Sequence, residues 1–211
     1  MATVAQIIEF ANRKFPNSET DSNKTADLND IHNNVYLKIK RLKNDFDITE
    51  STTVANQATY TLPTGCKIEN LVRVTVSKSE TNVEFDTYDY AALNDDVKVG
   101  RYYVPVTDTV IALFDGGEPL KTSGLTIMFY YFAEPVQLSS TTQTPNLDPM
   151  YHNALKYALV AEIASQGRHP HTEIANYWQS RYDDFVREIE KDLTEKFNTA
   201  PVLSNRAVEH W

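Results

Sequence analysis

Cysteine is almost missing from this 211-residue chain. Cys66 stands alone, so no internal disulfide can form, which fits assembly in a reducing cytoplasm. Glycine is scarce as well. Of six glycines only Gly116 and Gly117 are adjacent, so there is no Gly-rich loop to cradle a phosphate. Positive charge is short: 20 Lys+Arg against 29 Asp+Glu leave a formal net charge of −9. That is the wrong sign for a cationic clamp on nucleic acid, whose affinity comes from Lys and Arg neutralising phosphates. The densest basic run, Lys38-Ile39-Lys40-Arg41-Leu42-Lys43, sits in a predicted helix with Asp45 and Asp47 just after it, and reads as a solvated helix face. No stretch approaches the ~18 consecutive apolar residues of a membrane span. The opening MATVAQIIEF lacks a basic n-region and a cleavage-like site, so no secretory signal is expected.

What is present is 41% hydrophobic residues and a length for one large domain or two small ones. Such a chain can bury a core without disulfides or a structural metal. Thr3-Val-Ala-Gln6 has capping-box spacing, and Val4, Ile7, Ile8, Ala11 and Phe15 then share one helical face. Pro16 and the polar run Asn17 to Lys24 should end that helix. A second is expected from near Thr25, with Leu28, Ile31, Val35, Ile39, Leu42 and Phe46 as its stripe.

From about residue 47 the period shortens. Tyr60-Thr-Leu62-Pro63 reads as a short strand ending at the turn Pro63-Thr64-Gly65. Val72, Val74 and Val76 alternate with polar residues as in a half-buried strand. Further strands are expected around 83–88 and 102–106. Thr109–Phe114 and Leu125–Phe132 are apolar on both faces and should be central, with Asp115-Gly116-Gly117 as the turn between them.

Helices return at Asp148-Pro149, an N-cap with proline behind it. Tyr157 to Ala164 is apolar nearly all round and should be the core helix. Gly167 should stop it and Pro170 can start the next, with Ile174, Trp178, Tyr182, Phe185, Ile189 and Leu193 in line. Leu155, Leu159, Ile163, Ile174, Trp178 and Phe185 are expected to be buried with Leu28, Val35 and Leu42. The order is α-α-β block-α-α. The fold class is α+β: a four-helix bundle (1–48 and 145–197) with an antiparallel β-sheet or small β-sandwich (49–144) inserted between helices two and three, then an extended tail, 198–211.

Chemistry is hard to find. His169-Pro170-His171, with His152 as a third imidazole, reads as a polar loop rather than a metal site, which needs a defined ligand set. Asp95-Asp96 and Asp183-Asp184 are carboxylate pairs, but adjacent residues do not face each other on a helix. No nucleophile-elbow pattern is present, and Cys66 has only Lys67 as a basic neighbour. The reading is no enzyme, no cofactor and no metal. Tyr88, Tyr90, Tyr102, Tyr103, Tyr130, Tyr131 and Phe132 crowd the β block, either as sheet packing or as a protein–protein surface.

Read in order, several phrases make a pattern: Tyr60-Thr-Leu62-Pro63, Ile68 to Val74, Leu125 to Val136, Pro145-Asn-Leu-Asp-Pro149-Met-Tyr151-His-Asn-Ala-Leu155, and Ala175-Asn-Tyr-Trp-Gln-Ser-Arg-Tyr182. Over residues 3–197 this resembles the head-to-tail adaptor proteins of tailed bacteriophages, also called connector, head-completion or tail tubular proteins. The resemblance implies a structural virion protein at the head–tail junction. Such proteins form a ring, usually of twelve copies, below the portal, extend the DNA channel and dock the tail or nozzle. Its implied partners are other copies of itself, the portal protein and a tail or nozzle protein, with DNA passing without specific binding and no membrane. Twelve copies of a chain at −9 carry a formal −108, and an acidic lumen repels the DNA backbone. Two other functions stay open: another tail or receptor-binding virion component, or a small hydrolase with an unrecognised site. In the aperiodic tail, Pro201, Val202, Leu203, Val208 and Trp211 are the candidate partner-binding residues. The tail is expected to be disordered alone and ordered against the portal, the alternative being a tail folded back on its own subunit.

Overall fold

The computed structural model describes residues 1–78, 81–87, 100–166 and 170–197. In chain order the elements are helices α1 (Val4–Lys14) and α2 (Asp21–Lys43), strands β1 (Asp47–Thr52), β2 (Thr59–Thr61), β3 (Leu71–Lys78), β4 (Thr81–Thr87), β5 (Arg101–Thr107), β6 (Val110–Asp115), β7 (Glu118–Pro119) and β8 (Thr126–Tyr131), then helices α3 (His152–Ser165) and α4 (Thr172–Phe197). The class is α+β. The chain forms two compact units: a helical one from Met1–Asn44 with Pro135 onward, and a β one from Asp45–Glu134.

In the helical unit the capping box forms as the spacing requires. Thr3 Oγ1 accepts from the Gln6 N–H at 3.3 Å, and Gln6 Oε1 accepts from the Thr3 N–H at 3.0 Å. Val4, Ile7, Ile8 and Ala11 are buried. Helix α2 begins earlier than expected, inside the polar run. Thr20 is its N-cap and accepts from the Asn23 N–H; the polarity of Asn17 to Lys24 masked a Thr cap, which outweighs weak helix formers in one turn. Its C-cap is Asn44, left-handed at φ 53°. Phe46 therefore lies beyond the helix, and its ring meets Tyr130 of the β unit edge-on at 5.8 Å. It does not belong to the α2 stripe.

Helix α3 is the hub of this unit and touches α1, α2 and α4. Leu155, Leu159, Val160 and Ile163 are buried in one cluster with Leu28, Val35, Ile39, Ile189 and Leu193. Ile174, Trp178, Phe185 and Leu42, expected in the same core, are only partly buried. Trp178 and Phe185 flank the half-buried Tyr157 at 5.6 and 6.1 Å, on the rim where broad rings keep one side in water. Asp148 does cap, but it caps a 3₁₀ turn (Pro149–Tyr151) that leads into α3. The segment before it is stitched to α1 and α2. The Val4 and Ala5 N–H groups donate to Gln143 O and Thr141 O, both at 2.9 Å. Asn29 exchanges two hydrogen bonds with the Leu138 backbone. Gly167 lies outside the described residues.

The β unit is one hydrogen-bonded path, β1-β8-β3-β4-β5-β6-β2, with β7 on β6. Side chains from both ends of the path share one interior: Val74, Val76, Ile127, Phe129 and Tyr131 with Tyr60, Leu62, Ile111 and Leu113. Among the described residues every pairing is antiparallel except β4–β5, which is parallel over Asp86–Tyr102 and Thr87–Tyr103, so the sheet is mixed. Pro105 is tolerated in β5 because β4 pairs only at Tyr102 and Tyr103; the missing N–H falls where no second neighbour asks for it.

Other expectations need correcting. Strand β1 was not foreseen; its run, Asp-Ile-Thr-Glu-Ser-Thr, has almost no apolar residues because it is an edge strand paired only to β8. Val72 is 49% exposed rather than aligned with Val74 and Val76. The pairing of β3 with β8 skips from Leu71 to Arg73, so a bulge turns Val72 out. Asp115-Gly116-Gly117 does make a two-residue turn, with φ of 63° and 84° at the glycines, a pattern that suits glycine. It joins β6 to β7, however, not to β8. Both β6 and β8 are interior strands, yet β8 buries only alternate residues, Ile127, Phe129 and Tyr131. Of the crowded tyrosines among the described residues, Tyr102, Tyr103 and Tyr131 are buried, and Tyr130 sits under the Arg73 guanidinium at 4.2 Å. Tyr88 and Tyr90 lie outside the described residues.

Candidate functional site

Several of the groups singled out for chemistry lie among the described residues. His152 opens α3 and is 2% exposed. Its Nδ1 accepts the Ala2 N–H at 3.1 Å, so its Nε2 carries the hydrogen and donates to Leu147 O at 3.1 Å. Burial holds its pKa below the usual imidazole value, against the Leu147 hydrogen bond. His32 of α2 is 1% exposed, and its Nε2 has no partner. Burial, with His152 nearby, lowers it to about 4. Both rings are neutral at pH 7 and shielded from solvent. His171 packs against Phe15 at 5.1 Å, and His169 lies outside the described residues. Among the described residues no three His, Cys, Asp or Glu side chains converge on a metal position.

Cys66 is buried, and burial, helped by Glu134, pushes its thiol up to about 12. A thiol held protonated at neutral pH is a poor nucleophile. Asp183 accepts from Gln179, and Asp184 pairs with Arg187 at 3.3 Å on the exposed face of α4. Asp95 and Asp96 lie outside the described residues. The basic run on α2 departs from a simple solvated face. Lys38 pairs with Glu190 at 2.6 Å, Lys43 lies 5.7 Å from the Tyr151 ring, and Lys40 is 8% exposed over Tyr36.

One surface feature among the described residues was not anticipated. A cleft of about 420 Å³ is lined by Met1, Ala2, Gln6, Glu9, Phe10, Arg13 and Lys156. The capping box fixes where α1 starts, which sets Phe10 and Arg13 on the side turned toward Lys156 of α3. Arg13, Lys14 and Lys156 stand 6.0, 5.8 and 5.7 Å from the Phe10 ring centroid. Trp178 of α4 closes on the same ring edge-on at 5.8 Å. Its members come from three separated segments, so no local motif announces it. Of the described residues no helix is long and apolar enough to cross a membrane.

Comparison with known families decides the class. The family model described as SU10 adaptor protein matches residues 2–205. The chain belongs to this family. The SU10 adaptors are a phage head–tail adaptor family, so the chain is a structural component of the phage head–tail apparatus and of the virion, and its family is not an enzyme class. A search of curated proteins finds no match. The residues expected to bind a partner, Pro201, Val202, Leu203, Val208 and Trp211, lie outside the described residues; the family match reaches residue 205.

Proposed function

We propose that this SU10 adaptor forms a homo-oligomeric ring, twelve copies strong, seated below the portal. The ring extends the DNA channel and presents the surface on which the tail or nozzle docks. The carrying observation is the match to the adaptor family over residues 2–205. The charge supports it: at −9 per chain, a ring of such subunits repels the DNA backbone and lets it pass. In this reading the helices act as one four-helix bundle, and the β unit is an insert in its sequence between the second and third helices. The tail, 198–211, reaches the portal through Pro201, Val202, Leu203, Val208 and Trp211, with the Trp as the anchor of the type that dominates interfaces. Assembly takes place in the host cytoplasm.

Electron cryo-microscopy of the particle tests the ring. Density for this chain, repeated about the channel axis directly below the portal, is the expected result; its location elsewhere in the virion removes the proposal. The tail is tested separately. Deleting residues 199–211 should leave the melting temperature of the isolated chain nearly unchanged and abolish attachment to filled heads. Normal attachment by the truncated chain would remove the docking role of the tail and leave the ring.

A further inference from the structure

Among the described residues the cations around Phe10 pair with no acid of their own unit. Among the described residues, Arg13, Lys14 and Lys156 form no ion pair; Lys156 only donates to Asn153 Oδ1 at 3.2 Å. Three like charges within about 6 Å of one ring repel one another, and an arriving carboxylate relieves that repulsion. The aromatic side of the cluster also reaches water. Tyr177 is 55% exposed, meets Trp178 edge-on at 5.3 Å, and has Arg181 at 5.9 Å from its ring. Rings and arginines are the residues enriched where proteins bind one another.

The occupant follows from charge and shape. Glu9 lines the cleft beside the cations. An unbroken phosphate backbone would meet that carboxylate, whereas a protein segment can place its own carboxylates over Arg13 and Lys156 and an apolar group against Phe10. A cleft of about 420 Å³ receives a few side chains, not a duplex. This chain carries nine more acids than bases, so a further copy of it brings the missing charge wherever copies stand side by side.

We propose that the Phe10–Arg13–Lys156 cleft is the surface on which a second copy of this chain docks, through a carboxylate-bearing segment. The inference rests on the reading of the protein as a ring of copies and names one face of the contact between neighbours. Two arms test it, both in the assembled particle with the full chain. In the first, Glu9 is replaced by the photo-crosslinker benzoylphenylalanine, which leaves all three cations in place. Irradiation should give a covalent dimer of this chain. Cross-links only to a different protein or to DNA, or none, overturn the inference. In the second, the triple variant Arg13→Glu, Lys14→Glu, Lys156→Glu should enter particles at least tenfold less than the wild type, with its helical circular dichroism unchanged. Incorporation at the wild-type level overturns the inference. If the variant does not fold, the cross-linking arm decides alone. A particle that contains a ring yet yields no dimer from position 9 sinks this contact and leaves the ring. A dimer from a particle without a ring supports the contact and sinks the ring.

Discussion

The helical unit and the β unit reach order by different means. The helical unit draws on two pieces of chain, 1–44 and 135 onward, and joins them through side-chain volume and a few point contacts such as Asn29 with Leu138. The β unit draws on one continuous piece, 45–134, and joins distant strands by registered backbone pairing, as in Asp47–Tyr131. Helix backbones satisfy their own hydrogen bonds, so their mutual placement depends on packing. Strands do not, so their placement depends on register. The first kind of order should be sensitive to volume and buried polarity, the second to turns and bulges.

The largest expected effects come from the two cores. Phe129→Ala, at a 1% exposed site in the β unit, should cost about 3–5 kcal/mol, and Leu159→Ala, at a 0% exposed site in the helical unit, about 2–5 kcal/mol. Denaturant melts followed by helical circular dichroism should move more for Leu159→Ala, because α3 carries that signal. Equal movement for both variants would break the comparison and make the two units one cooperative body.

The next effect separates the units by pH. All five histidines lie outside residues 45–134. An unfolded His32 titrates near 6.5 and the folded one near 4. Its contribution to stability is therefore fully present above pH 6.5 and is lost as pH falls toward 4, by on the order of 3 kcal/mol at most. His152 adds in the same direction, chiefly through burial and against its Leu147 hydrogen bond, with the N-terminal ammonium and Lys156 opposing its charged form and Asp148 favouring it. Melts from pH 7 to pH 4 should show the helical transition falling, and His32→Leu should flatten that slope. An unchanged slope in the variant would place the pH response elsewhere.

Smaller effects test turn and cap. Gly116→Ala forces a side chain into φ 63° and should cost about 1–2 kcal/mol in the β unit. No heavy atom lies within 4 Å of the added Cβ, so the cost is backbone strain and not a clash. Thr3→Ala removes one half of the capping box and should cost about 1 kcal/mol in the helical unit. Thermal melts resolve both, and a Thr3→Ala cost near zero would show the box to be ornamental beside the Gln143 and Thr141 contacts.

Much of the helical unit was legible because periodicity and caps are local. The box at Thr3–Gln6 and the apolar wrap of α3 follow from neighbours in sequence. The β unit was legible strand by strand, but its pairing was not. Nothing local shows that β4 leaves β3 to run parallel beside β5, that β7 and not β8 follows the Gly116-Gly117 turn, or that Val72 is the extra residue of a bulge. The edge strand β1 was invisible because an edge carries few apolar residues. The cleft at Phe10 was illegible for another reason: Arg13, Lys156 and Trp178 are unremarkable singly and gain meaning only when three helices meet. The aromatic excess of the β block, by contrast, was visible but left sheet packing and a surface both open; of its described rings Tyr102, Tyr103 and Tyr131 are buried and Tyr130 and Phe132 partly so.

The stitching of α1 has a consequence in time. Ala2, Val4 and Ala5 leave the ribosome well before their hydrogen-bond partners, Thr141, Gln143 and His152, which are made some 136 to 150 positions later. At about 5–20 residues per second, that interval is on the order of 10 s. The whole of the β unit is synthesised within it. During that time Val4, Ile7, Ile8 and Ala11 have no α3 to cover them, so on a nascent chain α1 is an apolar stripe in search of shelter, and the pace of translation sets how long it waits.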